Sequence, residues 1–197
     1  MTRLTHFFLR LSVLAGWAVM AAPLAHAAPL GIDRLMDALA RQPQGAATYT
    51  ETKTIAMLEQ PVESSGELLF IPPARLEKRT LKPKPESMVL DGDTLTLTRG
   101  RRTHVLRLQD YPQVAAMIES IRATLAGDRK ALEKVYQLAL SGDTDRWTLT
   151  LAPRDAGVRK LIARIRMEGS EARVRSVEIL QADGDSSVMT IDTPPAP

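Results

Sequence analysis

The chain has no cysteine. No disulfide can staple the fold, no thiol can serve as a nucleophile, and no N-terminal cysteine can carry lipid. Histidine is almost as scarce. Of three in 197 residues, His6 and His26 lie in the first 27 and only His104 follows. No histidine pair or Cys/His cluster exists for zinc, and no G-x-S-x-G elbow exists for a serine nucleophile. The inventory therefore names no catalytic residue, no metal ligand and no cofactor site, and no enzyme is expected. His104 alternates with Leu106 and Leu108 and reads as a partly buried sheet residue.

Aromatic residues make up only 4% of the chain. Beyond residue 28 they are Tyr49, Phe70, Tyr111, Tyr136 and Trp147. Single-strand nucleic-acid binding wants stacking platforms in a basic groove, and too few are present. The formal charge of +3 falls to about +1 once Arg3 and Arg10 are set aside. The apolar residues are mostly aliphatic, which suits a core or a pocket for saturated chains.

Long apolar runs are missing too, with one exception near the start. Residues 11–24 are apolar, follow Arg3 and Arg10, and precede Ala25-His26-Ala27, an A-x-A site. A spanning helix needs about 20 apolar residues, and this run is roughly 14 and broken by Pro23. Residues 1–27 are expected to be a cleaved secretory signal peptide, leaving a mature domain at 28–193 and a Pro-rich tail at 194–197. About 170 residues are enough for one domain with a real core. No stable membrane insertion is expected of it.

Residues 31–41 show Ile32, Leu35, Met36 and Leu39 at helical spacing. Strand patterns follow at 48–58, 66–71, 75–81, 87–90, 94–98 and 102–108. Asp91-Gly92 marks a tight turn, and Leu95 and Leu97 alternate with threonines. The period then becomes helical. Pro112 opens a stripe of Val114, Met117, Ile118, Ile121 and Leu125, Gly127 breaks it, and Asp128 caps a second helix reaching about residue 140. Strands resume at 146–151, 161–167, 173–181 and 187–191, with Asp183-Gly184 as the last hairpin turn. The fold class is α+β, mainly β. It is a single curved antiparallel sheet of about ten strands, because a sheet that long must curl. An N-terminal helix and an inserted helical pair cover it. Asp91-Gly92-Asp93 and Asp183-Gly184-Asp185 are explained by turn chemistry. Arg99-Gly100-Arg101-Arg102 is a basic hairpin tip, either a solvated turn or a docking patch for an acidic partner or lipid headgroup.

The order of these segments resembles the outer-membrane lipoprotein carrier family, the LolA-like periplasmic chaperones. Tyr49-Thr50-Glu51-Thr52-Lys53 resembles its first strand, Gly66-Glu67-Leu68-Leu69-Phe70-Ile71-Pro72-Pro73 its glycine-strand-proline segment, and 85–97 its proline, strand, Asp-Gly turn and next strand. Trp147-Thr148-Leu149-Thr150-Leu151-Ala152-Pro153 resembles the strand after the lid helices. The resemblance implies an unclosed β-barrel with a helical lid, in the periplasm, acting as a chaperone that carries acyl chains of lipoproteins from an inner-membrane donor to an outer-membrane acceptor. A monomer is expected. Pro72 stands where family members have the arginine that holds the lid, so the lid is expected to rest on apolar contact. Leu76 and Lys78 stand where they have an aromatic residue and a tryptophan. Such divergence implies a relative of the housekeeping carrier, and some relatives serve export of polyene lipids.

For a trough binding lipid cargo, the inward residues are Leu68, Phe70, Leu76, Met88, Leu90, Leu95, Leu97, Trp147, Leu149, Leu151, Ile165 and Met167. Met117, Ile118 and Ile121 face them from the lid. Periodicity assigns faces; it leaves open whether this face is a trough or a filled core. A sensor or scaffold that uses the same fold to hold a protein partner is the alternative function.

Overall fold

The structure is a computed structural model that describes residues 30–193. The leader read at 1–27 and the tail at 194–197 lie outside the described residues. In chain order the elements are α1 (Ile32–Ala40), β1 (Gly45–Thr54), β2 (Val62–Ile71), β3 (Arg75–Lys82), β4 (Glu86–Asp91), β5 (Thr94–Arg99) and β6 (Arg102–Arg107). A 3-10 turn over Leu108–Asp110 leads into α2 (Pro112–Leu125) and α3 (Arg129–Val135). Then come β7 (Tyr136–Gly142), β8 (Trp147–Pro153), α4 (Ala156–Arg159), β9 (Ile162–Ser170), β10 (Arg173–Gln181) and β11 (Ser186–Asp192).

All eleven strands form one antiparallel sheet in the order β6-β5-β4-β3-β2-β1-β11-β10-β9-β8-β7. The sheet is not closed, and β6 and β7 are its two edges. These edge strands are consecutive in the chain, so α2 and α3 must carry the backbone from one edge to the other. The helical insertion therefore bridges the opening of the curled sheet. Pairing of β1 with β11 joins the two halves at the centre, in register from Thr48 opposite Asp192 to Thr54 opposite Ser186.

The eleventh strand is β7, which corrects the single helix expected from Asp128 to about residue 140. Leu132, Val135, Tyr136 and Ala139 have helical spacing, but Tyr136, Leu138 and Leu140 also alternate. Helix geometry ends at Val135, and Tyr136 already has extended backbone (φ −123°, ψ 149°). Seven residues then pair with β8, from Tyr136 opposite Pro153 to Gly142 opposite Trp147. What decides is the neighbour: as a strand, Leu138 and Leu140 lie opposite Leu151 and Leu149 of β8 on the apolar face. His104 is a smaller correction. It lies on edge strand β6 and is exposed.

Local chemistry explains the helix ends. Pro112 occupies the first turn of α2, where its missing N–H costs nothing. Past the C-terminus of α2, Asp128 N–H donates to Ala123 O (2.8 Å) and Gly127 N–H to Thr124 O (3.0 Å). This paired closure requires the left-handed conformation that Gly127 adopts (φ +68°). The Asp128 carboxylate then accepts from Ala131 N–H and starts α3.

Gly127 does more than turn the chain. A Cβ there would sit 2.2 Å from Met36 O, so the α2–α3 corner is pressed against α1. Arg129 adds an exposed ion pair to Asp33 of α1 at 2.7 Å. Tyr136 Oη donates to Ala116 O of α2 at 3.1 Å. The insertion is thus tied by polar bonds as well as apolar contact, unlike the purely apolar lid expected from Pro72. Pro72 itself is exposed in the β2–β3 turn.

Candidate functional site

Strand register brings the twelve inward candidates onto one face. On the first half of the sheet the inward side chains form rows across the strands. One row is Phe70, Leu76, Leu90, Leu95 and Leu106. The next is Leu68, Lys78, Met88, Leu97 and His104, and the third is Gly66, Thr80, Glu86, Arg99 and Arg102. On the other half, Ile165 opposes Leu151, and Met167 opposes Leu149.

The two halves differ in how they are covered. Trp147, Leu149, Leu151, Ile165 and Met167 are at most 1% exposed and pack with Leu35, Met36 and Leu39 of α1 and Ala116 and Ala123 of α2. This region is a filled core. Trp147 fixes its end: Nε1–H donates to Glu171 O at 2.9 Å, and the ring lies so close to Gly169 that a Cβ there would be 2.2 Å from it. The second half has a smaller cluster, in which Leu90 and Leu95 are buried beneath Ile118 of α2. Leu76, Met88 and Leu97 lie half-buried around it. Leu68 and Phe70 are half-buried between the two clusters and belong to neither. Met117 packs against both clusters and Ile121 against the larger one.

The apolar wall thus has one sealed side and one partly covered side. Two cavities, of about 250 and 210 Å³, lie elsewhere, the first beside Leu30, Arg34 and Thr144, the second against Arg166, Ser176 and Val188. With α2 seated, its own side chains take the place a ligand would occupy over Leu90 and Leu95. The available surface is the strip from Leu68 and Phe70 to Met88 and Leu97.

At the centre of the same face lies a polar cluster that sequence patterning did not single out. Tyr49 and Glu51 of β1 point inward and are 1% and 6% exposed. Glu51 accepts from Lys78 Nζ, from Ser187 Oγ at 2.6 Å and from Ser64 Oγ at 3.3 Å, and Lys53 Nζ lies 3.6 Å away. Lys78 also sits over the Tyr49 ring, 4.7 Å from its centre, while Tyr49 Oη hydrogen-bonds Thr80 Oγ1 at 2.7 Å. Burial pushes the Glu51 carboxyl up, but the Lys78 and Ser187 hydrogen bonds and the Lys78 and Lys53 charges outweigh it and hold it below the ordinary value. Elsewhere, burial raises the Tyr136 hydroxyl above its usual range, offset in part by Ser120.

Among the described residues no group of three or more His, Asp or Glu is placed to hold a metal ion. Nor is any described helix long and apolar enough to cross a membrane.

A curled sheet whose two edges stay unpaired and are bridged by helices defines an unclosed β-barrel with a helical cover. The chain belongs to the LolA-like outer membrane lipoprotein carrier family, whose model, described as outer membrane lipoprotein carrier protein LolA-like, matches residues 24–192. No curated protein matches the chain. Among solved structures it is similar to a LolA superfamily protein of Nitrosomonas europaea (11% identity, 85% of this chain and 96% of that one, TM-score 0.46). It is also similar to a lipoprotein-sorting protein domain of Vibrio parahaemolyticus (10%, 84% and 92%, TM-score 0.43). A third is MucB of Pseudomonas aeruginosa, solved in complex with MucA (16%, TM-score 0.43), of which the matched region spans 56% against 84% of this chain.

Proposed function

We propose that the protein is a non-catalytic periplasmic carrier. It shields the acyl chains of a lipoprotein or another lipid on the partly covered wall of β2–β5, and moves them from an inner-membrane donor towards an outer-membrane acceptor. The observation that supports this reading is the pair Leu68 and Phe70, apolar, half-buried and claimed by neither packed cluster, on a chain of the LolA-like family.

The energetics suit a shuttle. Taking an acyl chain out of water is worth about 0.8 kcal/mol per CH₂, so a chain of about sixteen carbons amounts to roughly 12 kcal/mol. A bilayer offers much the same, so the carrier needs a wall nearly as apolar that still lets go. A wall half-covered by α2 meets both needs: α2 yields Leu90 and Leu95 to the cargo and returns when it leaves. Met117, flexible and polarisable, is suited to pack against either.

Native mass spectrometry of protein taken from its own periplasm tests the reading. Lipid or acylated protein released on activation is the expected result. A lipid-free protein bound to one stoichiometric partner refutes the carrier and favours the scaffold.

A further inference from the structure

The inner face is graded along its strands. The row through Phe70 and Leu76 is wholly apolar, the row through Lys78 is mixed, and the row through Glu86, Arg99 and Arg102 is charged. Lys78 is the one cation inside the half-buried strip. Leu68 opposes it on β2 and Met88 on β4.

Its bonding leaves it room to act. Lys78 is 18% exposed and, among the described residues, gives one hydrogen bond, to Glu51, from an ammonium with three N–H donors. Glu51 in turn accepts from Lys78, Ser64 and Ser187 and is flanked by Lys53. Two cations around one carboxylate leave the cluster with a net positive charge. Towards the rim, Arg99 is matched by Glu86 at 2.6 Å, while alternation places Arg102 beside it on the same face. The potential over the polar half of the wall is therefore positive.

A lysine–glutamate pair set into an apolar floor adds little stability over two apolar side chains of similar size. What it does add is selectivity, because it penalises a purely apolar ligand and rewards one with a matching charge. Resting on the carrier reading, we propose that the wall selects amphiphiles with an anionic group, seated on the Lys78 ammonium, with the chain running over Leu68 and Leu76 towards Phe70. The acid takes a free donor of Lys78 without displacing Glu51, and Tyr49 backs the ammonium through its ring.

The test compares hexadecanoate with hexadecanol, equal in chain length and differing in charge, by displacement of the neutral probe N-phenyl-1-naphthylamine. The parent is expected to favour the acid at least about tenfold, with the preference shrinking as salt is raised. Lys78→Arg is expected to keep it. Lys78→Met combined with Glu51→Gln removes both charges and leaves neither buried alone. That variant, its fold checked by circular dichroism, is expected to bind acid and alcohol alike. If the parent binds both equally, the headgroup inference falls and the carrier reading stands. Preference retained by the double variant also overturns it. Failure of the parent to bind either ligand removes the carrier reading and this inference with it.

Discussion

Two leucines on one face, Leu97 and Leu149, should respond oppositely to the same charge. Leu149 is fully buried between Trp147 and Leu151 beneath α1 and α2. A glutamate there places a carboxylate inside the apolar cluster beneath α1 and α2. The cost is several kcal/mol, comparable with the roughly 5–15 kcal/mol that holds a typical domain together. Leu97 is half-buried, opposes His104, and lies one row from Arg99 and Arg102. Its glutamate keeps water and finds cations, so the loss is mainly half a leucine's burial, about 1 kcal/mol. Urea unfolding followed by the emission of Trp147 reads both variants, since Trp147 goes from full burial to water. Displacement of N-phenyl-1-naphthylamine by hexadecanoate reads the site. Leu149→Glu is expected to be unfolded, and Leu97→Glu to be folded and deficient in binding. If Leu149→Glu is as stable as the parent, the division into core and wall is wrong. If Leu97→Glu folds and binds lipid as the parent does, the wall is not the site.

Gly169→Ala drives a methyl group to 2.2 Å from the Trp147 ring and 2.3 Å from Arg173 O, and is expected to cost about 1–3 kcal/mol in urea unfolding. Tyr136→Phe removes the hydroxyl that donates to Ala116 O; a loss of about 1 kcal/mol and faster amide exchange in α2 are expected, with the sheet amides unchanged. Glu51 is held below its ordinary pKa of 4.5, so the stability it contributes is fully present above that value and is lost as pH falls through the folded value. The parent's urea midpoint should therefore fall more steeply below about pH 5 than that of the Lys78→Met, Glu51→Gln variant. Equal slopes would show that the carboxylate gains nothing from its partners.

The inward face was legible because alternation is a local property. Leu95 and Leu97 between threonines, and Trp147, Leu149 and Leu151 likewise, declare their side without any knowledge of neighbours. Turns were legible for the same reason, since Asp91-Gly92 and Asp183-Gly184 carry their own backbone preference, and both glycines have positive φ. The α3–β7 boundary was not. Tyr136 satisfies a helical and a strand period at once, and what decides is the pairing of Leu138 with Leu151 and Leu140 with Leu149, a fact about another segment. Burial depth was likewise hidden: nothing in their own strands separates Leu149, sealed by α1, from Leu97, half open.

The Glu51–Lys78 pair shows the same limit at the site itself. Thr50-Glu51-Thr52-Lys53 reads as a polar strand, and Lys78 reads as one more charge in a strand of mixed character. They meet only because β2 lies between β1 and β3 in a register that sets Glu51 opposite Ser64 and Lys78 opposite Leu68. A slip of one residue in either pairing would send one of the charges to the outer face, into water. The pair is therefore a consequence of the assembled sheet, and so is its chemistry: a carboxylate that accepts three hydrogen bonds, and an ammonium beside an apolar strip. The helical cover follows from assembly in the same way. Because β6 and β7 are the opposite edges of the sheet and consecutive in the chain, α2 has to cross the opening. Ile118 of α2 then comes to lie over Leu90 and Leu95, while Leu68 and Phe70, on the neighbouring strand β2, stay outside both packed clusters.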